Sequence, residues 1–392
     1  MPAEISQPSE ALSISDILKA LEIDCGAAAE EPESYFAIPG NSGPRWLVPA
    51  VSRGAASVLS AWRPYSLTGQ VKWLAIRMAA RAGIVRLFPS VSSLMIPRTS
   101  SRRWFERCGI AGQAGELVVM VGNPSPDRKL TVFLLDAAHH IAAVLKVGLT
   151  PEGRLSAVHE AAVLTELERY CWAPDILAVL PDLGAAAQKY VHGALPERGF
   201  RPEYLDLLCN LRLSGASLNL TDAAGAMESR LRPFADEMHR IAPGLLNRCL
   251  SCLDLDVGIP TMLVHGDFVP WNIRKISDSG YVLIDWEWAD FAGLPMHDLL
   301  HFHFSESRLL DRGRGGYAAM QEKPVFKEYL KRMVLDTELL PRLAIAYLLE
   351  RLESHFKNRD SASIFYTLNQ LGAVIDSLGF ASSFHGDAGT AK

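Results

Sequence analysis

Lysine is scarce in this chain of 392 residues: only 11 of its 39 basic residues are lysine, so a lysine within an apolar segment stands out. The six cysteines are scattered, and the CxxC of Cys249 and Cys252 is followed by no second pair or spaced histidines. Neither a disulfide framework nor a structural zinc site is therefore predicted. A net charge of −5 disfavours a protein whose main partner is nucleic acid.

Two features of exported and membrane proteins are also missing. The N-terminus is acidic and polar, whereas a secretory signal needs a basic region followed by an apolar core. No stretch reaches about 18 uncharged apolar residues, the length of a helix that spans a bilayer. The composition is that of an ordinary globular protein, and the length suits two lobes or two domains. A cytoplasmic protein is expected.

The net charge conceals two segments of opposite sign. Residues 1–35 hold eight acids and one lysine, and residues 71–110 hold eight bases and one acid. The first segment is predicted to be an acidic flexible lead with a short helix that Ser13 or Ser15 caps. Residues 36–110, rich in arginine, proline and aromatics, are predicted to form a basic N-terminal extension.

The basic segment 71–110 has three interpretations. It is a solvated cationic face beside the following lobe, an interfacial helix on anionic lipid with Trp73 and Phe88 as anchors, or an electrostatic partner of the acidic lead. The second interpretation predicts peripheral contact with an anionic membrane. The apolar side of the predicted helix comprises Trp73, Ile76, Ala80 and Ile84.

From about residue 115 the pattern changes to that of β-strands. ELVVMVG and LTVFLLD flank the turn-rich NPSPDRK, which predicts a hairpin. IAAVLKVG predicts a third strand, LSAVHEAAVLTELERY a helix, and ILAVLP with AAAQKYVHG a further pair of strands. After about residue 200 the pattern is mainly helical, apart from TMLVHGDFVPWNIRKI and YVLIDWEWAD.

A set of polar residues follows two of these apolar strands. The loop after TMLV presents His265, Asp267 and Asn272, and the strand YVLI leads into Asp285 about a dozen residues later. Phosphoryl transfer to a hydroxyl group needs such a set. One carboxylate orients the hydroxyl and accepts its proton, while an amide oxygen and a second carboxylate are ligands that Mg²⁺ prefers.

HGDFVPWN followed by VLIDWEWADFAGLPMHDLL resembles the aminoglycoside phosphotransferase and choline kinase family, which is related to the protein kinases. Gly266 stands where protein kinases have arginine, which favours a small-molecule kinase. The resemblance implies a protein-kinase-like α+β fold of two lobes after the N-terminal extension. A small antiparallel-sheet N-lobe is expected over 111–195, a mainly helical C-lobe over 196–380, and a tail over 381–392.

The resemblance also implies roles for the loop residues. Asp267 is expected to be the catalytic base or the group that orients the acceptor hydroxyl. His265, the other predicted catalytic residue, is expected to fix the loop by hydrogen bonding rather than to take a proton. Asn272 and Asp285 are expected to bind Mg²⁺, and Asp298 matches a family position that is usually structural.

In the expected N-lobe, the resemblance implies a nucleotide site. Lys146, in the apolar strand IAAVLKVG, is expected to bind the nucleotide phosphates and to be oriented by Glu160 on the next helix. The backbone of Tyr190 and Val191 is expected to meet the adenine edge. The turn GNPSPDRK lacks the glycine-rich motif of protein kinases, so Ser125 and nearby backbone N–H groups are candidates for phosphate contacts.

The predicted function is transfer of the γ-phosphate of ATP, with Mg²⁺, to a hydroxyl of a sugar, aminocyclitol or amino alcohol. GTP in place of ATP, the identity of the acceptor and the oligomeric state are left open by the sequence. Two alternatives also stay open: a catalytically idle kinase-like binding or regulatory module, and a protein kinase.

Overall fold

The computed structural model describes eleven stretches of the chain, and they are residues 12–24, 32–40, 42–50, 54–61, 67–82, 84–85, 91–196, 199–211, 216–278, 280–310 and 315–379. The chain divides into two compact units, Met1–His192 and Gly193–Lys392. The division falls close to the boundary predicted between residues 195 and 196. None of the helices within the described stretches combines the length and hydropathy that a bilayer-spanning segment needs.

Within its described residues, the N-terminal unit contains one sheet of eight antiparallel strands. The strands are β1 (Pro32–Gly40), β2 (Gly43–Pro49), β3 (Ser92–Pro97), β4 (Glu116–Val121), β5 (Lys129–Leu135), β6 (Ile141–Gly148), β7 (Ile176–Leu180) and β8 (Ala185–Lys189). Their order across the sheet is β3-β1-β2-β4-β5-β6-β8-β7. The predicted hairpin is β4–β5, the predicted third strand is β6 and the predicted pair is β7–β8, so these predictions are confirmed.

Helices cover both faces of this sheet, because its central strands bury apolar side chains on both sides. The helices of the unit are α1 (Ile14–Ala20), α2 (Gly54–Ala61), α3 (Leu67–Arg81), α4 (Arg98–Arg107) and α5 (Pro151–Leu167). On the first face, Leu117 and Val119 pack with residues of α1 and α4. On the second face, Val118, Phe133 and Val144 pack with residues of α2 and α3.

Three described segments before residue 112, the strands β1, β2 and β3, are part of this sheet, whereas the sequence predicted a separate extension over 36–110. In α1, Ser13 and Asp16 form a reciprocal capping box. Ile17 and Leu21, four residues apart, are buried in the first-face core, so α1 packs against the sheet. Strand β2 then pairs with β4, which joins the extension to the rest of the sheet.

The amphipathic helix predicted within the basic segment exists as α3, with one correction. Ala80 is buried, while Trp73 and Ile76 are half-buried. Ile84 lies beyond the end of the helix at Arg81 and is 45% exposed. The predicted apolar side is therefore shorter than the 3.6-residue pattern suggested, because the helix stops before the glycine that precedes Ile84.

Ion pairs connect the acidic and basic segments, as the electrostatic interpretation of 71–110 predicts. Glu22 accepts from Arg103 at 3.2 Å and from Arg107 at 2.8 Å. Arg98 lies 3.5 Å from Glu33. These side chains are partly exposed, so each pair contributes little to stability, about 0–1 kcal/mol. They involve two of the eight acids of residues 1–35 and three of the eight bases of residues 71–110.

The C-terminal unit is mainly helical in its described residues, which confirms the predicted α+β class. Its helices are α6 (Pro202–Asn210), α7 (Leu220–Leu231), α8 (Ala235–Ile241), α9 (Leu245–Leu253), α10 (His297–Leu310), α11 (Tyr317–Met320), α12 (Pro324–Arg332), α13 (Leu340–Lys357) and α14 (Ser361–Ser377). Its short strands are β9 (Ser217–Asn219), β10 (Gly258–Pro260), β11 (Met262–Val264), β12 (Ile273–Lys275), β13 (Tyr281–Leu283) and β14 (Asp290–Gly293). They form three two-stranded sheets, β9–β10, β11–β14 and β12–β13.

These small sheets position the predicted catalytic residues. The loop between β11 and β12 contains HGDFVPWN, and the strand β13 ends two residues before Asp285. The β12–β13 pair is antiparallel, with Ile273 opposite Leu283. Ile284 also donates its N–H to the carbonyl of Asn272 at 2.9 Å, so the loop and the residue before Asp285 are held side by side.

Candidate active site

Asp298, at the start of α10, fixes the backbone of the HGD loop. Its Oδ2 accepts the N–H of His265 at 2.7 Å, and its Oδ1 accepts the N–H of Gly266 at 2.9 Å. Burial opposes ionisation of Asp298, but hydrogen bonds and charge from His297 and His265 lower its pKa. The carboxylate is therefore charged at neutral pH. It accepts the hydrogen bonds of two backbone N–H groups in the loop that have no strand partner.

Gly266 is required by both conformation and space. Its φ of 81° lies in the left-handed region, which side chains with a Cβ rarely adopt. A Cβ at this position would lie 2.2 Å from the carbonyl oxygen of Trp288. The glycine that distinguishes this loop from that of protein kinases is thus fixed by the close approach of a second backbone segment.

His265 is fully buried, and both of its ring nitrogens are engaged by the backbone. Nε2 lies 3.0 Å from the carbonyl oxygen of Ile284, and Nδ1 accepts the N–H of Asp267 at 3.3 Å. Because a carbonyl can only accept, the hydrogen is assigned to Nε2. The ring thereby ties the loop to the segment before Asp285, and it has no nitrogen left for proton transfer.

Asp267 is held by two neutral side chains. Its Oδ2 accepts from Nδ2 of Asn272 at 2.7 Å, and the same amide also donates to the backbone oxygen of Asp267 at 3.0 Å. Its Oδ1 lies 3.0 Å from Nε2 of His301. The side chain stays 31% exposed, so the carboxylate is both oriented and accessible to a small molecule.

His301 belongs to a chain of contacts that runs from Asp267 to Tyr347. Nδ1 of His301 lies 3.0 Å from the hydroxyl of Tyr347. Burial lowers the pKa of His301 more than its contact with Asp267 raises it, and burial raises the pKa of Tyr347. At neutral pH the tyrosine therefore donates to a neutral imidazole, whose other nitrogen donates to Asp267.

These contacts determine the protonation state of Asp267. Burial alone would raise the pKa of this carboxyl group, but the hydrogen bond from His301, assisted by nearby positive charge, lowers it below its usual range. Asp267 is therefore ionised at neutral pH, as a proton acceptor must be before the reaction. His301 and Tyr347 were not among the predicted site residues, because the contacts connect positions 34 and 46 residues apart.

Asp285 follows β13 in a strained backbone conformation. Its φ is 73°, which is uncommon for a residue with a side chain and indicates that surrounding structure imposes it. Carboxylate oxygens of Asp285 and Glu287 lie within 4.8 Å of each other. Two carboxylates so close together favour a cation beside them, since like charges repel.

In the N-terminal unit, the predicted pairing of Lys146 with Glu160 is confirmed. Nζ of Lys146 lies 2.7 Å from each carboxylate oxygen of Glu160. The two side chains are 11% and 2% exposed, so this is a buried ion pair. Such pairs rarely add net stability, which suggests that the pair serves to position the ammonium group.

The nucleotide contacts predicted for Tyr190, Val191 and Ser125 remain predictions, but the structure shows which of their polar groups already have a hydrogen-bond partner. The N–H of Tyr190 is bonded to the carbonyl of Ala142 at 3.2 Å, so it is not a free donor for adenine. Val191 has no backbone partner among the described residues. The hydroxyl of Ser125 lies 3.4 Å from the carbonyl of Asn123, within the turn between β4 and β5.

Comparisons with known proteins define the class of this chain. The model of the family described as the phosphotransferase enzyme family matches residues 112–332, which is more than half of the chain. The chain therefore belongs to the phosphotransferase enzyme family, a family of small-molecule kinases. The match begins after β3 and α4, so the family does not account for the first three strands of the sheet.

Solved structures of low sequence identity resemble this chain. Choline kinase LicA from Streptococcus pneumoniae is 12% identical, with a TM-score of 0.49, over 70% of this chain and 98% of that one. Macrolide 2'-phosphotransferase MphH from Brachybacterium faecium is 18% identical, with a TM-score of 0.42, over 69% and 97%. A mutant of aminoglycoside phosphotransferase APH(4)-Ia, solved with ADP and hygromycin B, is 12% identical, with a TM-score of 0.44, over 71% and 98%. No curated protein sequence matches this chain.

Proposed function

We propose that this protein transfers the γ-phosphate of ATP, with Mg²⁺, to a hydroxyl group of a small molecule. The observation that supports the proposal most is the environment of Asp267. This carboxylate is ionised, oriented through both oxygens and still 31% exposed, within a loop whose backbone Asp298 fixes. A sugar, an aminocyclitol or an amino alcohol is the proposed class of acceptor.

In the proposed reaction, Asp267 orients the acceptor hydroxyl and takes its proton. The hydroxyl oxygen forms the new bond to the γ-phosphorus, the bond from that phosphorus to the β-γ bridging oxygen breaks, and ADP leaves. Each oxygen of Asp267 already accepts one hydrogen bond, from His301 or Asn272, and each keeps a lone pair for the proton. Most of the rate enhancement would come from positioning and charge stabilisation.

The residues proposed for Mg²⁺ fit a hard cation. The amide nitrogen of Asn272 is engaged by Asp267, while its side-chain oxygen accepts no hydrogen bond among the described residues. That oxygen and the carboxylate of Asp285 are ligands of the kind that Mg²⁺ takes, and Glu287 adds negative charge beside Asp285. When bound, the ion would neutralise phosphate charge during transfer.

In the N-terminal unit, Lys146 is proposed to bind the nucleotide phosphates. The ammonium group is fixed by Glu160 at 2.7 Å, so it would meet a phosphate without first losing side-chain freedom. ATP is the proposed donor, and GTP would place its phosphates in the same way. Purine preference would depend on the backbone near Val191.

The variant Asp267→Asn tests the proposal. It keeps the shape and the contact with His301 but removes the proton acceptor, so acceptor phosphorylation should fall by at least about a thousandfold. Nucleotide binding, followed by a thermal shift with ATP and Mg²⁺, should survive. The assay is transfer of radiolabelled phosphate across sugars, amino alcohols and aminoglycosides.

A kinase-like binding module is the second candidate, and the same experiment separates it from an enzyme. A binding module would show a thermal shift with ATP but no transfer to any acceptor and no ATP hydrolysis. Undiminished turnover by Asp267→Asn would instead show that another group takes the proton.

A further inference from the structure

Helix α3 exposes apolar side chains on the side that faces away from the sheet. Val71, Leu74 and Met78 are 71%, 50% and 56% exposed. Their spacing of three and four residues places them on one side of the helix, and they are called the outer stripe below. Ala80, on the other side of the helix, is buried in the core of the second face of the sheet. The helix is therefore apolar on two sides, of which only one is covered.

The inner side of α3 holds the aromatic residue that the sequence offered as a membrane anchor. Trp73 is half-buried, and its Nε1 donates to the carbonyl of Leu59 at 2.5 Å, which ties α3 to α2. Phe88, the other predicted anchor, lies outside the described residues. A contact with lipid through this helix would therefore be made by the outer stripe rather than by Trp73.

Cations flank the outer stripe on both sides. In helical projection, Arg77 and Arg81 lie along one flank and Lys72 lies along the other. Lys72 and Arg81 are exposed, and none of the three cations forms an ion pair among the described residues. The guanidinium carbon of Arg77 lies 5.2 Å from the ring centroid of Trp73, so this arginine is partly engaged by the inner side.

The acidic segment of the chain does not neutralise this helix. Glu22 pairs with Arg103 and Arg107 of α4, so the electrostatic interpretation of segment 71–110 accounts for charge on α4. Residues 34–105 contain ten Lys or Arg and no Asp or Glu, so no acid lies near α3 along the chain. A partner surface of negative charge would complement the cations of α3.

The chemistry of the outer stripe favours lipid over a protein partner. A second copy of this chain, docked through the same stripe, would bring like charges together, which opposes the contact. Protein partners are mostly anchored by aromatic side chains and pockets, whereas the stripe consists of valine, leucine and methionine on the outside of a helix. An apolar stripe between cations is the pattern of helices that lie at the surface of an anionic membrane.

We propose that the outer stripe of α3 docks on the surface of an anionic membrane. Val71, Leu74 and Met78 would enter the boundary between headgroups and acyl chains, and Lys72 and Arg81 would meet the lipid phosphates. The contact is peripheral, since no helix in the described part of the chain is long and apolar enough to span a bilayer. Because α3 precedes the family match at residue 112, the proposal does not depend on the proposed function.

Vesicle flotation of the full-length protein tests the proposal. The protein should bind phosphatidylcholine vesicles that contain about one-third phosphatidylserine at least about tenfold more tightly than vesicles of phosphatidylcholine alone. Leu74→Gln and Met78→Gln should each weaken binding to the anionic vesicles by about tenfold, because each removes apolar surface that the membrane would bury. Lys72→Gln and Arg81→Gln should each weaken it by about fivefold, and by less at high salt.

Two substitutions elsewhere are the matched controls. Leu155 on α5 is 72% exposed, and Arg240 on α8 is an exposed cation. Leu155→Gln and Arg240→Gln repeat the same chemical changes away from α3, so both should bind the anionic vesicles as the unchanged protein does. The substituted side chains are all exposed, so the fold should persist, and circular dichroism checks this. If Leu74→Gln fails to fold, Met78→Gln provides the test.

The outcomes separate lipid docking from its alternatives. Selective loss of binding in the α3 variants supports the proposal. Absence of binding to either kind of vesicle, or an equal loss in Leu155→Gln, overturns it. Binding that depends on Lys72 and Arg81 but not on Leu74 or Met78 would be a purely electrostatic contact and would overturn docking through the stripe. Self-association in sedimentation runs that Leu74→Gln abolishes, without lipid binding, would assign the stripe to a second copy and also overturn the proposal.

Discussion

The two units fix their central charged group in opposite ways. In the N-terminal unit, Lys146 is matched by the full charge of Glu160, with both side chains buried. In the C-terminal unit, Asp267 is held by neutral donors, Asn272 and His301. A matched pair immobilises a cation, while neutral donors orient a carboxylate and leave its charge available. The first arrangement suits binding of phosphate, and the second suits acceptance of a proton.

The largest expected effect comes from leaving the charge of Lys146 unmatched. Glu160→Gln should lower the free energy of unfolding by about 3–5 kcal/mol, because a buried ammonium group loses its counter-charge. Urea denaturation measures this loss. The double variant Lys146→Met/Glu160→Leu should recover most of the stability but not nucleotide binding, since the apolar pair removes both charges.

An exposed pair provides the control for this experiment. Lys357 and Glu353 lie 2.6 Å apart on α13, and the lysine side chain is 61% exposed. Lys357→Met should change the free energy of unfolding by less than about 1 kcal/mol. A cost of Glu160→Gln no greater than this would contradict the view that Lys146 is held by a buried, matched charge.

A second variant disturbs the loop of Asp267 without touching any charge. Gly266→Ala should cost at least about 2 kcal/mol, because the left-handed backbone disfavours alanine and the new Cβ meets the carbonyl of Trp288. Phosphotransfer should fall with it. Gly225→Ala is the control: a Cβ there meets nothing within 4 Å, so this variant in α7 should gain up to about 1 kcal/mol. Equal effects would mean that the loop tolerates a different backbone path.

Tyr347→Phe tests whether neutral donors orient Asp267. The variant removes the hydroxyl that fixes the tautomer of His301, so kcat should fall by about tenfold while KM for both substrates stays within about twofold. The hydrogen bond from His301 lowers the pKa of Asp267. Weakening it should raise that pKa, so activity should be lost at a higher pH when the solution is acidified.

The pH profile separates this orienting role from a purely structural one. Tyr281→Phe is the matched control, because the Tyr281 hydroxyl is buried without a hydrogen bond among the described residues. It should leave both kcat and the pH at which activity is lost on acidification unchanged. If that pH is also unchanged in Tyr347→Phe, His301 does not influence the ionisation of Asp267.

The smallest effect concerns a histidine that the C-terminal unit keeps neutral outside the site. Burial, with the nearby charge of Lys323, lowers the pKa of His303 to about 3. As the pH drops below about 6.5, His303 is protonated in the unfolded chain but not yet in the folded protein. The free energy of unfolding should therefore fall over this range. His303→Phe should make the melting temperature less dependent on pH between about 7 and 5. His140→Gln, at a site 73% exposed, should leave that dependence unchanged.

The sequence predicted the local patterns well, and it missed contacts between distant segments. The strands β4 to β8 and the Lys146–Glu160 pair follow from apolar alternation and from a motif of fixed spacing. The pairing of β1 and β2 with the sheet was missed because both strands contain prolines, which usually mark loops. Pro39, for example, lies at the irregularity in the β1–β2 register, where a missing N–H is tolerated.

In the candidate site, the residue types were predictable but their fixing contacts were not. The loop motif named Asp267 and Asn272, which are five residues apart, and their hydrogen bond is local. His301 and Tyr347 lie on α10 and α13, so only the packing of these helices brings them to Asp267. Asp298 was expected to be structural, but its hydrogen bond from the N–H of His265 joins positions 33 residues apart and depends on where α10 packs.

The pairing of β2 with β4 has a practical consequence for anyone who isolates the family domain. Trp46 and Leu47 lie opposite Met120 and Val119, so β4 is an interior strand. A fragment that starts at residue 112 would turn this apolar, β-branched strand into a bare sheet edge, with unpaired N–H and carbonyl groups along it. Such a fragment should self-associate or aggregate, because the pairing with β2 that covers this edge of β4 would be missing.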